Sequence, residues 1–183
     1  MKKAYKILLA ASFLVNFGDN LIGPFYAVYV ENIGGSILDI GYTATVFCFS
    51  TGILMIIIGK LSDKLNKEII TIFGYGLYAL GSLAYLFITA PWQLFGLQVV
   101  FGLGSACLSA PLVALFARHI QKGKEGEQWG LEGGGTFILV GISAFVGTLI
   151  VNNFGFRLLF IIMFSIQVTA TIVQSTLYFN KKK

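Results

Sequence analysis

The stretch IITIFGYGLYALGSLAYLFITAPWQLFGLQVVFGLGSACLSAPLVALFA, residues 69–117, decides the fold, because its 49 residues include no Asp, Glu, Lys or Arg. A helix needs about 20 apolar residues to cross a hydrocarbon core of about 30 Å, so this run suits two crossings. Pro91 and Trp92 stand near its middle, where proline ends a helix and tryptophan suits the membrane interface. The stretch therefore predicts two transmembrane helices joined by a short turn.

Three further charge-free runs lie at 40–59, 133–156 and 158–180, and the first 30 residues form one more apolar segment. Of the 183 residues, 56% are apolar and 11% are charged, against about 45–50% and about 25% in soluble domains. This composition excludes a disordered chain and an ordinary cytosolic enzyme. We predict an all-α membrane protein, a single bundle of six transmembrane helices at about 7–30, 37–59, 69–90, 92–116, 131–152 and 157–179.

The six predicted crossings distribute the thirteen basic residues unevenly. Arg157 stands on one side, and the other twelve share the opposite side: Lys2, Lys3, Lys6, Lys60, Lys64, Lys67, Arg118, Lys122, Lys124, Lys181, Lys182 and Lys183. Because basic residues accumulate in cytoplasmic loops, both termini are predicted to be cytoplasmic. We expect a multi-pass protein of the plasma (inner) membrane, with anionic lipid head groups beside its basic loops and no nucleic-acid partner.

Asp19 is the most informative single residue, because it lies at the middle of the first predicted span. A carboxylate there costs about 2.5–3.5 kcal/mol on insertion scales and must face protein or a water-filled cavity. Helical spacing places Ser12, Asn16 and Tyr26 on the same face, and Asn20 is adjacent. Two interpretations stay open: a carboxylate that contacts a substrate or binds a proton, or an aspartate that pairs this helix with a neighbour.

Other features of the spans also have more than one interpretation. Small residues recur every four positions in the fourth span and predict close helix packing: Gly102, Ala106, Ala110 and Ala114. In the sixth span Gln167, Thr171 and Gln174 share a face that lines a pathway or, as we favour, hydrogen-bonds a neighbouring helix. Glu132, at the start of the fifth predicted span, either pairs with Arg118 or a cytoplasmic lysine or lies in solvent. Gly23-Pro24 predicts a kink in the first span.

The sequence offers no pattern typical of catalysis or metal binding. Cys48 and Cys107 lie in separate spans without metal-ligand spacing, and His119 is the one histidine. Ser105 and His119 stand too far apart on one predicted helix to act as a nucleophile and its base. We therefore expect no enzyme activity, no catalytic or metal site and no cofactor.

The loop GKLSDKLNK, residues 59–67, connects the second and third spans. Gly59 suits a tight turn at a helix end, and Asp63 suits a helix cap. Lys64 and Lys67, with Lys60, suit anchoring at the inner membrane surface. An ordinary basic loop would account for these residues as well.

The spacing of this loop resembles the signature between helices 2 and 3 of the major facilitator superfamily (MFS), in which Gly, three residues, Asp and basic residues follow in order. Gly59, Asp63, Lys64 and Lys67 match it, whereas Asn66 stands where the family usually has glycine, a substitution suited to left-handed backbone angles. Sequence similar to the family's first helix and outer loop, fourth helix and entry to helix 6 extends the resemblance over the whole chain.

Two departures from the family pattern accompany this resemblance. Gln98 stands where an arginine often precedes the Gly-x-Gly of the fourth helix, so the usual charge interaction is in doubt. Gly141 is followed by Ile142 rather than by the proline of drug antiporters, so drug efflux has no specific support.

The resemblance implies a bundle of two inverted three-helix repeats and secondary active transport of a small solute by alternating access. It implies that helices 1 and 4 line the cavity while helices 3 and 6 are peripheral. The expected pathway residues are Asp19, Asn16, Asn20, Tyr26 and Gln98, with a proton or ion as coupling partner. The loop motif is expected to stabilise one state at the interface between two bundles, with Asp63 at its centre.

Members of this family have twelve helices, and the present sequence predicts six. A second six-helix bundle is therefore expected as a partner: a continuation of the same chain, a second copy, or a separate chain. The alternative function is a membrane subunit or scaffold that pairs with another membrane protein and transports nothing.

Overall fold

A computed structural model describes residues 3–181, with side chains through residue 179. The described residues form helices and turns and no strand, so the predicted all-α fold class is confirmed. The α-helices are α1 (Lys3–Asn20), α2 (Tyr26–Asn32), α3 (Ile37–Ser62), α4 (Lys67–Ala84), α5 (Pro91–Leu108), α6 (Ala110–His119) and α7 (Glu125–Lys181), with short 3-10 helices at Gly23–Phe25 and Tyr85–Phe87.

Five helical segments of the described chain are long and apolar enough to cross a membrane. They are Lys3–Asn32, Ile37–Ser62, Lys67–Phe87, Pro91–His119 and Glu125–Phe179. The last has 55 residues, about twice the length that one crossing needs. It is interrupted at Gly155, whose φ of 77° and ψ of 179° lie in a region that is almost confined to glycine.

The contacts of α1 show that the chain reverses at Gly155. Before it, Phe13 lies against Gly135 and Leu21 lies against Gly147, so residues 125–154 run parallel to α1. After it, the order inverts. The Tyr29 ring contacts Phe160, Gly18 lies against Gln167, and Leu177 joins the cluster around Tyr5 and Leu8.

Proline interrupts two of the other long segments. Gly23-Pro24 separates α1 from α2, as expected from the sequence. Pro111 separates α5 from α6, with Ser109 at a ψ of −88°, and this second interruption was not anticipated. Proline lacks the N–H that would continue the helical hydrogen bonds, and its ring crowds the preceding turn.

Small residues allow the helices to approach closely. A Cβ on Gly102 would clash with Ser50 Oγ of α3, and a Cβ on Gly74 of α4 would lie 2.8 Å from the Cβ of Cys107. Ala106, one turn after Gly102, is fully buried. The structural interpretation of this small-residue face is confirmed for Gly102 and Ala106, and α4 packs between α5 and α7.

Two side-chain clusters close the ends of the bundle. At one end Tyr5, Leu8, Leu115 and Phe116 are buried, and the Tyr5 hydroxyl donates to the Gln128 carbonyl over 2.7 Å. At the other end four aromatic rings contact one another: Tyr29, Tyr85, Phe156 and Phe160. Tyr85 and Phe160 stack with ring centroids 4.8 Å apart, and aromatic pairs of this kind contribute about 0.5–1.5 kcal/mol beyond their burial.

Basic residues lie beside each of these two clusters. Lys3, Arg118 and His119 line one cavity beside the Tyr5 cluster, and Arg157 lines another beside Tyr29 at the opposite end. Lys2, Lys182 and Lys183, which the orientation prediction also uses, lie outside the described residues.

Helix α3 and residues 125–154 leave large apolar side chains uncovered. Phe49 is 68% exposed and Phe137 is 80% exposed. Gly52 on α3 and Gly141 on α7 have open space where a Cβ would stand. These two elements are therefore the least covered parts of the described bundle.

Candidate functional site

Two neighbouring cavities lie between the helices and share Asp19 and Tyr78. The first, of about 240 Å³, also contacts Ser12, Asn16 and Glu132, and we call it the Glu132 cavity. The second, of about 230 Å³, is the Tyr26 cavity, and it also contacts Asn20, Gln98 and Tyr85. All five residues that the sequence nominates for a pathway line one or both cavities: Asp19, Asn16, Asn20, Tyr26 and Gln98.

Asp19 occupies the junction of the two cavities. It is half-buried in the last turn of α1, directly before the interruption at Gly23-Pro24. Within the part of the chain that the structure describes, no side chain forms a hydrogen bond or salt bridge with its carboxylate. A helix-pairing aspartate would have such a partner, so the described contacts favour a carboxylate that is free to meet a ligand.

The Asn16 and Asn20 side-chain amides are oriented by their own helix. Asn16 Nδ2 donates to the Ser12 carbonyl and Asn20 Nδ2 donates to the Asn16 carbonyl, each over 2.8 Å. This use of the amide nitrogens leaves the amide oxygens as the groups that contribute acceptors to the cavities.

Glu132 lies deeper in its helix than the sequence predicted. Helix α7 begins at Glu125, so Glu132 lies about two turns inside the helix rather than at its start. Its Oε1 accepts a hydrogen bond from Ser12 Oγ over 3.3 Å, and the described salt bridges do not include it. Among the described residues, Glu132 pairs with neither Arg118 nor a lysine, and it does not lie at a solvated helix end. The fifth span was predicted to start at about residue 131. A predicted start at Glu125 would have placed Glu132 inside the helix.

Gln98 ties the fourth membrane segment to the first. It is 9% exposed, and its Nε2 donates to the Tyr26 hydroxyl over 3.0 Å. At the position where the family pattern often has an arginine, the neutral Gln98 amide therefore makes a hydrogen bond between two membrane segments. This contact closes one side of the Tyr26 cavity.

We predict that Tyr26→Phe lowers the free energy of unfolding by about 0.6–1.7 kcal/mol, because the Tyr26 hydroxyl no longer accepts a hydrogen bond from Gln98 Nε2, and hydrogen bonds within membrane bundles reach this size. Tyr42→Phe is the matched control, since Tyr42 is 56% exposed on α3. Thermal unfolding of the purified variants in one detergent compares them. Equal midpoints for the two variants would show that the Gln98 contact contributes nothing to stability.

The glutamines of the sixth predicted span lie in the core and line neither cavity. Gln167 and Gln174 are fully buried. Gln167 Nε2 donates to the Val15 carbonyl of α1 over 3.2 Å, and Gln174 Nε2 donates to Thr71 Oγ1 of α4 over 2.8 Å. The interpretation of these residues as links to neighbouring helices is confirmed for both glutamines.

The loop after α3 differs in detail from its prediction. Gly59 lies inside α3, near Ala110, and makes no turn. Asp63 follows the end of α3, and its Oδ1 lies 3.3 Å from the Nζ of Lys67, which also donates to the Ser62 carbonyl. Lys64 is exposed. The loop residues line neither of the cavities around Asp19.

Asn66 has a role that the sequence did not indicate. Its φ of −71° is not left-handed, and its side-chain oxygen accepts from the Glu68 N–H over 3.0 Å as the cap of α4. The interpretation of Asn66 as a substitute for a left-handed glycine is therefore wrong. Asparagine is favoured here as a helix N-cap.

The sequence of the chain matches a known protein family over most of its length. The family model described as Major Facilitator Superfamily matches residues 8–183. The chain belongs to the major facilitator superfamily. With its long apolar helices, this major facilitator bundle is an integral, multi-pass membrane protein.

Several relatives of the bundle are MFS-type proteins. An uncharacterized MFS-type transporter of Methanocaldococcus jannaschii is 23% identical over 187 residues, which cover 100% of this chain and 48% of that protein. The uncharacterized MFS-type transporter YitZ of Bacillus subtilis is 27% identical over 114 residues, 62% of this chain and 70% of the relative. Multidrug resistance protein MdtG of Enterobacter lignolyticus is 21% identical over 159 residues, 85% of this chain and 38% of that protein. The chain thus spans about half the length of the Methanocaldococcus relative.

One expectation drawn from the family is corrected by the geometry of this major facilitator bundle. The third membrane segment, expected to be peripheral, supplies Tyr78 to both cavities and Tyr85 to the Tyr26 cavity. Both tyrosines are buried. Tyr78 and Tyr85 are seven residues apart, two helical turns on one face, and this spacing was the signal available in the sequence.

Proposed function

We propose that this bundle is one half of a permease that moves a small solute across the plasma membrane by alternating access. The observation that carries the proposal is the position of Asp19, unpaired among the described residues, at the junction of two cavities along α1. Ionisable side chains inside a membrane bundle are costly and mark solute or ion pathways. Asp19, Asn16, Asn20, Tyr26 and Gln98 are the proposed pathway residues, and we add Glu132.

We further propose six crossings with both termini in the cytoplasm. The support is the reversal at Gly155, which divides the 55-residue α7 segment into two lengths that each suit one crossing. Lys3, Arg118 and His119 lie together at one end of the described bundle, and Arg157 lies near the opposite end. This asymmetry matches the positive-inside rule.

A second bundle is the proposed partner, as a continuation of the chain, a second copy or a separate chain. Asp19 is half-buried in the single bundle, and the exposed part of a carboxylate at this depth must face protein or water rather than lipid. The uncovered faces of α3 and residues 125–154 offer the contact area. The Asp63 carboxylate, 81% exposed, is proposed to stabilise one state at the interface between the bundles, and a proton or ion bound by Asp19 is the proposed coupling partner.

An unbiased flux measurement tests transport while the solute is still unidentified. Vesicles that contain the complete carrier are loaded with an isotopically labelled small-molecule extract of bacterial cells, and the solutes released are identified by mass spectrometry. We expect at least one solute to leave faster than from protein-free vesicles, with a rate that saturates. Equal release of every solute from both vesicle types would contradict transport and favour a subunit that transports nothing.

A further inference from the structure

We propose that the two cavities around Asp19 bind an organic cation that carries an aromatic or other apolar group. This inference names the substrate class for the site in the proposed function and rests on that function. The charges and rings that line the cavities support it.

The charged side chains on the cavity walls are all acidic. Asp19 lines both cavities and Glu132 lines one, and neither wall includes a lysine, arginine or histidine among the described residues. A solute with a negative charge would meet two carboxylates and no cation. Inside a membrane bundle the interaction between charges is screened far less than in water, so this imbalance discriminates strongly by charge.

Within the described chain, the Asp19 carboxylate at the junction has no counter-ion. The two salt bridges of the described chain join Lys67 to Asp63 and Lys124 to Glu127, both away from the cavities. The Glu132 carboxylate has one hydrogen bond, from Ser12, and retains further acceptor capacity. A cationic solute would supply the charge that the described protein groups do not.

Aromatic rings form the remaining wall of the Tyr26 cavity. Tyr26, Phe47, Tyr85 and Phe101 line it, and Tyr78 stands at the junction beside Asp19. Aromatic faces attract cations, and guanidinium and quaternary ammonium groups are bound by such surfaces. A small inorganic ion would leave these rings without a contact, whereas an amine with an apolar body satisfies both the carboxylates and the rings.

The shape of the site also suits a two-part ligand. Each cavity has a volume of about 230–240 Å³, and they meet at Asp19. The Glu132 cavity is the more polar, with Ser12, Asn16 and Ser105 on its wall. The cationic group is assigned to the junction at Asp19, and the apolar group to the rings of the Tyr26 cavity.

A pair of probes with the same ring and opposite charge tests this assignment. The full chain is reconstituted in lipid nanodiscs, and isothermal titration calorimetry measures binding of benzyltrimethylammonium and of phenylmethanesulfonate, with empty nanodiscs subtracted. We expect the cation to bind at least about tenfold more tightly than the anion. Asp19→Asn should weaken cation binding at least about tenfold, because the variant lacks the negative charge at the junction. A tenfold change in affinity corresponds to about 1.4 kcal/mol.

Two further variants separate a lost charge from a lost fold. Asp19→Glu keeps the carboxylate and should bind the cation more tightly than Asp19→Asn. Glu31→Gln removes an exposed carboxylate that lines neither cavity and should bind like the unmodified chain. Equal affinities for cation and anion, no cation binding, or an Asp19→Asn variant that binds like Asp19→Glu would overturn the proposal.

The two proposals fail in different ways. Carrier-dependent release of neutral or anionic solutes, without cation binding, would leave transport standing and remove the substrate class. Charge-selective binding that requires Asp19, with no carrier-dependent release of any solute, would leave the binding site standing and remove transport.

Discussion

Gly147→Ala is expected to disrupt the packing of the bundle severely, although it adds only one methyl group. A Cβ on Gly147 would clash with the Leu21 carbonyl oxygen, a backbone atom just after α1 ends. A backbone atom cannot rotate away as a side chain can, so α1 and α7 must separate. Overpacking costs about 1–3 kcal/mol and occasionally more, and we expect the upper part of this range, with loss of the monodisperse species in gel filtration.

Gly141→Ala is the matched control, because it adds the same methyl group to the same helix, six residues earlier, where no atom beyond the adjoining helix backbone lies within 4 Å. Alanine has a better helix propensity than glycine by about 0.8–1.0 kcal/mol, so this variant should be as stable as the unmodified chain or more so. Thermal unfolding in one detergent compares the two. If Gly147→Ala unfolds at the same temperature as Gly141→Ala, α1 and α7 do not approach each other closely at Gly147.

Asp19→Asn is expected to have the largest effect on transport. The substitution keeps the size of the side chain and removes its charge at the junction of the two cavities. Losing one partner of a desolvated charge contact costs about 2–5 kcal/mol, so release of the carrier's solute from vesicles should slow by at least about tenfold. Because no described side chain pairs with Asp19, the folded protein should be recovered in normal yield.

Glu31→Gln controls for the loss of one negative charge elsewhere on the same membrane segment, Lys3–Asn32. Glu31 is exposed in α2 and lines neither cavity, so its variant should release solute at the unmodified rate. Thermal unfolding of both variants verifies that the fold survives. Unchanged release from Asp19→Asn, over a range of pH, would show that Asp19 has no part in the pathway.

The fold class followed from charge-free runs because the bilayer imposes a simple rule on length and composition. The 49 uncharged residues from Ile69 to Ala117 had to form two crossings, and Pro91 marks the turn between them. Gly23-Pro24 likewise indicated its interruption directly. Pro111 was missed because the apolar run continues past it, and apolar content alone does not report a kink.

The candidate site was predictable on one helix and less so across helices. Helical periodicity placed Ser12, Asn16 and Asp19 on one face, and all three line the Glu132 cavity. Tyr78 and Glu132 face the same cavity from other helices, and their positions depend on helix rotation and on the exact start of α7. Those quantities arise from packing between segments far apart in sequence, which a local pattern does not specify.

Alternating access requires that the cavity beside Asp19 opens in turn to each side of the membrane. Ser105, which lines the Glu132 cavity, is replaced by cysteine in the complete carrier after Cys48→Ser and Cys107→Ala, and a membrane-impermeant thiol reagent is applied from one side at a time. Ser165→Cys is the control, because Ser165 is exposed on the outside of α7 and a lipid-facing thiol reacts slowly. We predict that Ser105→Cys reacts from both sides while Ser165→Cys reacts from neither. Reaction of Ser105→Cys from one side only, or from neither, would contradict alternating access.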